Sequence, residues 1–239
     1  MKSNQTRNQK IRRMVILAMF AAMAYVAMLV IHIKVSFLTM DVKDAVITLC
    51  GLYFGPLSAL IISLLVPFLE FVTISDTAHY GLIMNILGSV SFSVTASLIY
   101  KWKKSFKGAL LALTSAAFVM TGVMLLANLL ITPHFMGVTV ETVRGMIPKL
   151  LLPFNLLKAL INVGVVLLLY KTLSRALRRA KVLPRSSAVV TTSEKPTAHR
   201  YLSIVVLAVA LLLILGSVIV IFTVLGGKFD FGSSFDFGF

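Results

Sequence analysis

The sequence predicts an all-α integral membrane protein, a six-helix bundle followed by one further C-terminal transmembrane helix. Three observations carry this. Of 239 residues, 59% are hydrophobic and 13% charged, a balance foreign to soluble domains. Uncharged runs occupy 14–31, 45–69, 80–100, 108–133 and 202–227, most of them long enough to cross about 30 Å of hydrocarbon at about 1.5 Å per residue. Finally, the basic residues are gathered into the segments between runs. A soluble enzyme is excluded.

The first run follows a basic N-terminus, as a signal peptide would. It is as long as a true span, however, and ends in Ile31-His32-Ile33-Lys34 with no small-residue cleavage site. It is therefore read as a retained helix over 12–33. The single cysteine, Cys50, lies in an apolar run and excludes a disulfide framework or a redox pair within the chain.

A net charge of +15 raises the question of nucleic acid, which the placement of the charges answers. Of 23 Lys and Arg, five precede the first helix, four lie in 101–107 and eight in 171–200. Seven of the eight acidic residues lie outside those segments. This is the positive-inside pattern of a multi-pass protein in the cell membrane, not a nucleic-acid footprint.

The same map decides how often 45–69 crosses. One crossing, with a cytoplasmic N-terminus, would put the clusters at 101–104 and 171–200 outside. Two crossings make every basic cluster cytoplasmic and the C-terminus extracellular. The break is supplied by Gly51-Leu52-Tyr53-Phe54-Gly55-Pro56, since glycine accepts unusual backbone angles and proline cannot extend the preceding helix. Twenty-five residues are too few for two full spans, so the helices reach back to about Phe37 and forward to about Thr73.

The expected helices are thus 12–33, 41–53, 56–73, 80–102, 107–131 and 149–179, with a seventh at 201–225. The bundle is 1–181. A polar segment with two prolines, 182–200, reads as a basic cytoplasmic linker. Residues 201–239 form the extra helix and an outer aromatic tail, in which Phe-Asp-Phe-Gly occurs at Phe229 and Phe235.

Polar residues within the spans are the informative ones. They are Glu70, Asn85, Asn128, Asn155, Lys158 and Asn162, with Asp41, Asp44, Asp76 and His79 near the outer boundary. Asn155, Lys158 and Asn162 share one face of the sixth helix, and Pro153 suits an early position there. Free first-turn N–H groups, the Asn155 amide and Lys158 would suit the carbonyl edge of a ligand. Equally, these groups could only join helices, with Lys158 paired to Glu70. Ala18 and Ala22 form a small-xxx-small pair on the first helix, which serves either internal packing or docking of another membrane subunit.

The four histidines show no metal-ligand spacing, and neither a nucleophile elbow nor a phosphate-binding lysine loop occurs, so no metal, cofactor or catalytic residue is expected. Energy for uphill transport would have to come from another protein.

Four segments in order resemble a known family. They are Phe37-Leu38-Thr39-Met40-Asp41-Val42-Lys43-Asp44, Gly51-Leu52-Tyr53-Phe54-Gly55-Pro56, Ala127-Asn128-Leu129-Leu130-Ile131-Thr132-Pro133 and Leu152-Pro153-Phe154-Asn155-Leu156-Leu157-Lys158. Across about 12–180 the chain is similar to the substrate-binding S components of energy-coupling factor (ECF) vitamin transporters, in particular the riboflavin-specific members.

The resemblance implies a six-helix bundle with an outward pocket for riboflavin, a transmembrane coupling subunit and two cytoplasmic ATPases as partners, and no enzymatic activity of its own. It implies that Asn128, Asn155 and Lys158 contact the isoalloxazine, with Glu70, Thr39, Met40 and Asp41 as further site residues. Ala18 and Ala22 would face the coupling subunit. The ring requires an apolar slot, for which Leu38, Met40, Phe68 and Phe154 are the candidates. With little cation surplus in the outer segments, FMN is expected to bind less well than riboflavin. The competing readings are an S component for another small vitamin or precursor, and a membrane assembly protein that transports nothing.

Overall fold

The computed structural model describes residues 2–74, 77–179, 196–226 and 228–229. Along the chain run α1 (Lys2–Val30), strands β1 (Ile33–Val35) and β2 (Leu38–Met40), α2 (Lys43–Phe54), α3 (Pro56–Thr73), α4 (Ala78–Trp102) and α5 (Phe106–Met136). Then come the short α6 (Val140–Met146), a π-helical turn (Ile147–Leu151), α7 (Leu152–Arg179), α8 (Pro196–Thr223) and β3 (Lys228–Phe229). Asp76, the linker up to residue 195 and the tail from residue 230 lie outside the described residues.

The run 45–69 folds into two antiparallel helices. Gly55, at φ 94°, makes the turn and Pro56 opens α3, a position where its missing N–H costs nothing. Side chains fix where this turn sits. Arg13 of α1 donates to Phe54 O at 3.2 Å and Ser58 Oγ at 3.0 Å. Tyr53 Oη donates to Tyr170 O at 2.6 Å, and Tyr100 Oη lies 2.6 Å from Tyr170 Oη. The turn, the basic start of α1 and the basic ends of α4 and α7 therefore share one end of the bundle, as the charge map requires.

Among the described residues, five stretches are long and apolar enough to cross a membrane: Lys10–Val30, Pro56–Thr73, His79–Trp102, Lys107–Met136 and Val140–Leu177. α2 and α8 are not among them: the apolar stretch of α8, expected as a seventh span, is the shorter Leu207–Thr223, and α2 is shorter still. Its twelve residues reach about 18 Å, short of the hydrocarbon thickness. Nine of the twelve are buried, the charged Lys43 and Asp44 among them, so the bundle and not lipid surrounds it.

Several boundaries differ from expectation: α1 begins at Lys2 and not at 12, α8 begins at Pro196 inside the expected linker, and α6 with the π turn precedes the helix expected from 149. Three more have a local cause. α1 stops at Val30 because 33–40 forms a hairpin, pairing Ile33 with Met40, Lys34 with Thr39 and Val35 with Leu38; its alternation buries Ile33, Val35, Leu38 and Met40. α2 starts at Lys43, since Asp41 Oδ1 accepts the Lys43 N–H at 3.1 Å and turns the chain before the helix. α5 continues through Pro133, which forfeits only one backbone hydrogen bond, and ends a turn later at Gly137.

Two apolar clusters fill the bundle. One, around Phe20, Leu49, Phe92, Leu113 and Met120, occupies its body. The other joins Ile33, Val35, Leu38 and Met40 of the hairpin to Val143, Leu151, Phe154 and Ile221.

Candidate functional site

A cleft opens at the end of the bundle away from the basic segments, between the hairpin and the adjoining ends of α4, α5 and α7. Its enclosed space is about 100 Å³, smaller than the usual small-molecule site, so a drug-sized ligand requires the walls to part. Each wall is one face of an element. α4 contributes Tyr80, Met84, Asn85 and Gly88, and α5 contributes Met120, Met124, Asn128, Thr132 and Phe135 at three- and four-residue steps. α7 adds Phe154, Asn155 and Lys158, the hairpin adds Phe37, Leu38 and Thr39, and Asp44 completes the lining from α2.

Of the three lining asparagines, Asn85 is tied to Lys43 and Glu70, and the other two differ in what they have left to offer. Asn128 is satisfied within α5: its Nδ2 donates to Met124 O at 2.7 Å and its Oδ1 accepts from Thr132 Oγ1 at 2.9 Å. Asn155 donates through Nδ2 to Leu151 O at 2.8 Å. Its Oδ1 is buried with no hydrogen-bond partner among the described residues. A buried acceptor left unpaired costs about 1–3 kcal/mol, so a donor arriving in the cleft gains that much by pairing with it.

Behind the cleft lies a chain of alternating charges. Asp41 Oδ2 is 2.9 Å from both Lys158 Nζ and Lys43 Nζ. Lys43 in turn lies 2.9 Å from Glu70 Oε2 and donates to Asn85 Oδ1 at 3.1 Å. Asn85 Nδ2 donates to Glu70 Oε1 at 3.0 Å, and Ser89 donates to Asp44 Oδ1. Lys158 also donates to the hairpin through Thr39 O at 3.1 Å. Charges at membrane depth persist only when paired in this way inside protein.

Of the residues expected at the site, Leu38, Thr39, Asn128, Phe154, Asn155 and Lys158 line the cleft. Asp41 and Glu70 stand one layer behind, holding Lys158 and Asn85 in place. Lys158 pairs with Asp41 and not with Glu70, the partner that a purely helix-joining role would give it, because Lys43 occupies Glu70. Met40 is packed into the apolar cluster under the hairpin instead of lining the slot. Phe68 also lies away from the slot: it is 52% exposed on the outer face of α3, opposite the buried stripe of Ser63, Val66 and Glu70. The N–H groups expected to be free at the start of α7 are taken up, since α6 and the π turn continue into it and Leu152 N–H bonds Ile147 O.

Sequence reasoning leaves Tyr80, Met84, Met120, Met124 and Phe135 out of the site, and it sets Asp44 and Asn85 aside as boundary or span residues. The signal is present as helical stripes, 80-84-88 on α4 and 120-124-128-132-135 on α5. On α1, Ala21 and Ala24 are buried against the bundle, whereas Ala18 and Ala22 are exposed on the outer face.

Residues 12–173 match the model of a family described as ECF transporter, substrate-specific component. The riboflavin transporter RibU of Staphylococcus aureus (strain TCH60) is 29% identical over 180 residues, which cover 72% of this chain and 95% of that protein. A solved structure reported as the S component of a bacterial ECF transporter aligns with a TM-score of 0.61 at 30% identity, over 71% of this chain and 99% of that one. The family match runs from the first helix to the last turns of the sixth bundle helix and takes in every element around the cleft, so this chain belongs to the substrate-specific components of ECF transporters.

Proposed function

We propose that this chain captures riboflavin in the cleft and hands it to an ECF transporter as the riboflavin-specific subunit. The observation that carries this is the unpaired Asn155 Oδ1 in a slot walled mainly by apolar and aromatic side chains. The pyrimidine edge of isoalloxazine alternates carbonyls with an N–H, so the N–H answers Asn155 Oδ1 and a neighbouring carbonyl answers the Lys158 ammonium. Leu38, Phe154, Met84 and Met124 are placed to bracket the apolar rings. The similarity to a riboflavin transporter supports the same ligand.

In this reading the basic end is cytoplasmic and the cleft faces outside. A transmembrane coupling subunit docks on the α1 face bearing Ala18 and Ala22, and two cytoplasmic ATPases supply the energy. The first test is a visible absorbance spectrum of detergent-purified protein before and after denaturation, with the released compound identified by mass spectrometry. A yellow chromophore of riboflavin mass is expected. A colourless protein that also ignores added riboflavin would remove riboflavin from the assignment.

A further inference from the structure

The hairpin beside the cleft is held from an unexpected direction. β3, which follows α8, pairs antiparallel with β1, setting Phe229 opposite Ile33 and Lys228 opposite Lys34. β1 thereby becomes the middle of three strands. Under the sheet, the fully buried Ile221 of α8 joins Ile33, Val35, Leu38 and Met40 in one apolar cluster, flanked by Val218 and Leu225.

α8 is itself seated closely on α7. A Cβ on Gly164 would lie 2.7 Å from Ile214 Cγ1 and 3.0 Å from Ala210 O, so only glycine lets the two helices approach this far. Neither α8 nor β3 falls within the residues that match the family, which end at 173. They are an addition to the shared bundle, and they touch it at the element that walls the cleft through Phe37, Leu38 and Thr39.

We propose that α8 and β3 form an intrachain clasp that holds the β1–β2 hairpin against the cleft and sets the rate at which ligand enters and leaves. A two-stranded hairpin alone is marginally stable; a third strand and an apolar support make it persist. Swinging the hairpin outward requires β1 either to part from β3 or to drag α8 off the Gly164 seat, and each route forfeits hydrogen bonds or buried area. The control of ligand exchange rests on the riboflavin reading above, whereas the restraint on the hairpin does not.

The test uses the full-length protein in detergent and two variants. Lys228→Pro combined with Phe229→Pro removes both backbone N–H groups of β3, whichever of them faces β1, and Lys34→Cys combined with Lys228→Cys places a disulfide between directly opposed residues. Backbone hydrogen exchange is followed across 31–40 without ligand, and riboflavin dissociation by stopped-flow fluorescence. The proline variant is expected to speed hairpin exchange by about tenfold and riboflavin release several-fold, while α4 and α5 keep their protection and so report an intact fold. The disulfide is expected to slow release, with reductant restoring it. Unchanged hairpin exchange in the proline variant would overturn the clasp. Faster hairpin exchange with unaltered release in both variants would overturn its control over the ligand. A wild-type protein that fails to bind riboflavin would overturn the ligand assignment instead, and hairpin exchange alone would then decide the clasp.

Discussion

Lys158 Nζ lies 2.9 Å from Asp41 Oδ2, joining α7 to the segment before α2 across 117 positions of sequence. Asp41 is fully buried and Lys158 nearly so. The pair therefore fastens the hairpin and α2 to the helix that carries Asn155.

Breaking that pair from one side leaves a buried charge unmatched. Asp41→Asn is expected to destabilise the protein by about 3–5 kcal/mol, because Lys158 loses its carboxylate while Lys43 retains Glu70. The double variant Asp41→Asn with Lys158→Gln is expected to recover part of the loss. Thermal unfolding in detergent, analysed as a double-mutant cycle, checks both.

Asn155 and Asn162 separate binding from folding on one helix. Asn155→Ala removes an acceptor that no described residue uses, so riboflavin affinity is expected to fall at least about tenfold, or about 1.4 kcal/mol, with little change in melting temperature. Asn162 Oδ1 accepts the Ala45 N–H at 2.7 Å. Asn162→Ala is therefore expected to cost about 0.5–1.5 kcal/mol of stability through the lost hydrogen bond, the Ala45 N–H keeping only its longer contact to Val42 O at 3.2 Å. Isothermal titration and thermal melts on both variants distinguish the two roles.

Gly51 faces the Ser97 hydroxyl where α2 crosses α4, and a Cβ there would also lie 2.7 Å from Ala59 Cβ. Gly51→Ala is expected to destabilise by about 1–3 kcal/mol, the usual cost of overpacking. Gly122, where a Cβ meets open space, is the matched control, and its alanine variant should melt like the parent.

The paired buried charges around the cleft, Asp41 and Glu70 against Lys43 and Lys158, balance. A phosphorylated flavin meets no spare cation there, and FMN is expected to bind at least about tenfold more weakly than riboflavin. Competition titration decides it, and equal affinity would count against the charge argument.

Much of the bundle is legible in the sequence because charge and hydropathy act over whole segments. Three separate basic clusters have to share one side, which forces two crossings out of 45–69, and Tyr53, Tyr100 and Arg13 tie those ends together. The hairpin escapes such reasoning because its two-residue turn, Ser36-Phe37, lacks the glycine or asparagine that usually marks one, even though Ser36 takes a positive φ of 56°. The site divides in the same way. Asn155 and Lys158 stand out as polar groups on an apolar helix, whereas the methionines and aromatics of α4 and α5 look the same in sequence whether they face lipid, core or cleft. Phe68 is mistaken for a wall of the slot for that reason.

The brevity of α2 carries a consequence for the order in which the protein is made. A twelve-residue segment that opens with Lys43 and Asp44 is a poor candidate to enter a bilayer unaided. Its anchors come later, Ser89 on α4 and Asn162 on α7, the latter 117 residues after Ala45. At about 5–20 residues per second that interval is roughly 6–23 s of translation. During that time the nascent chain holds α2 without its final partners, and the cleft waits for α7 before its walls can close.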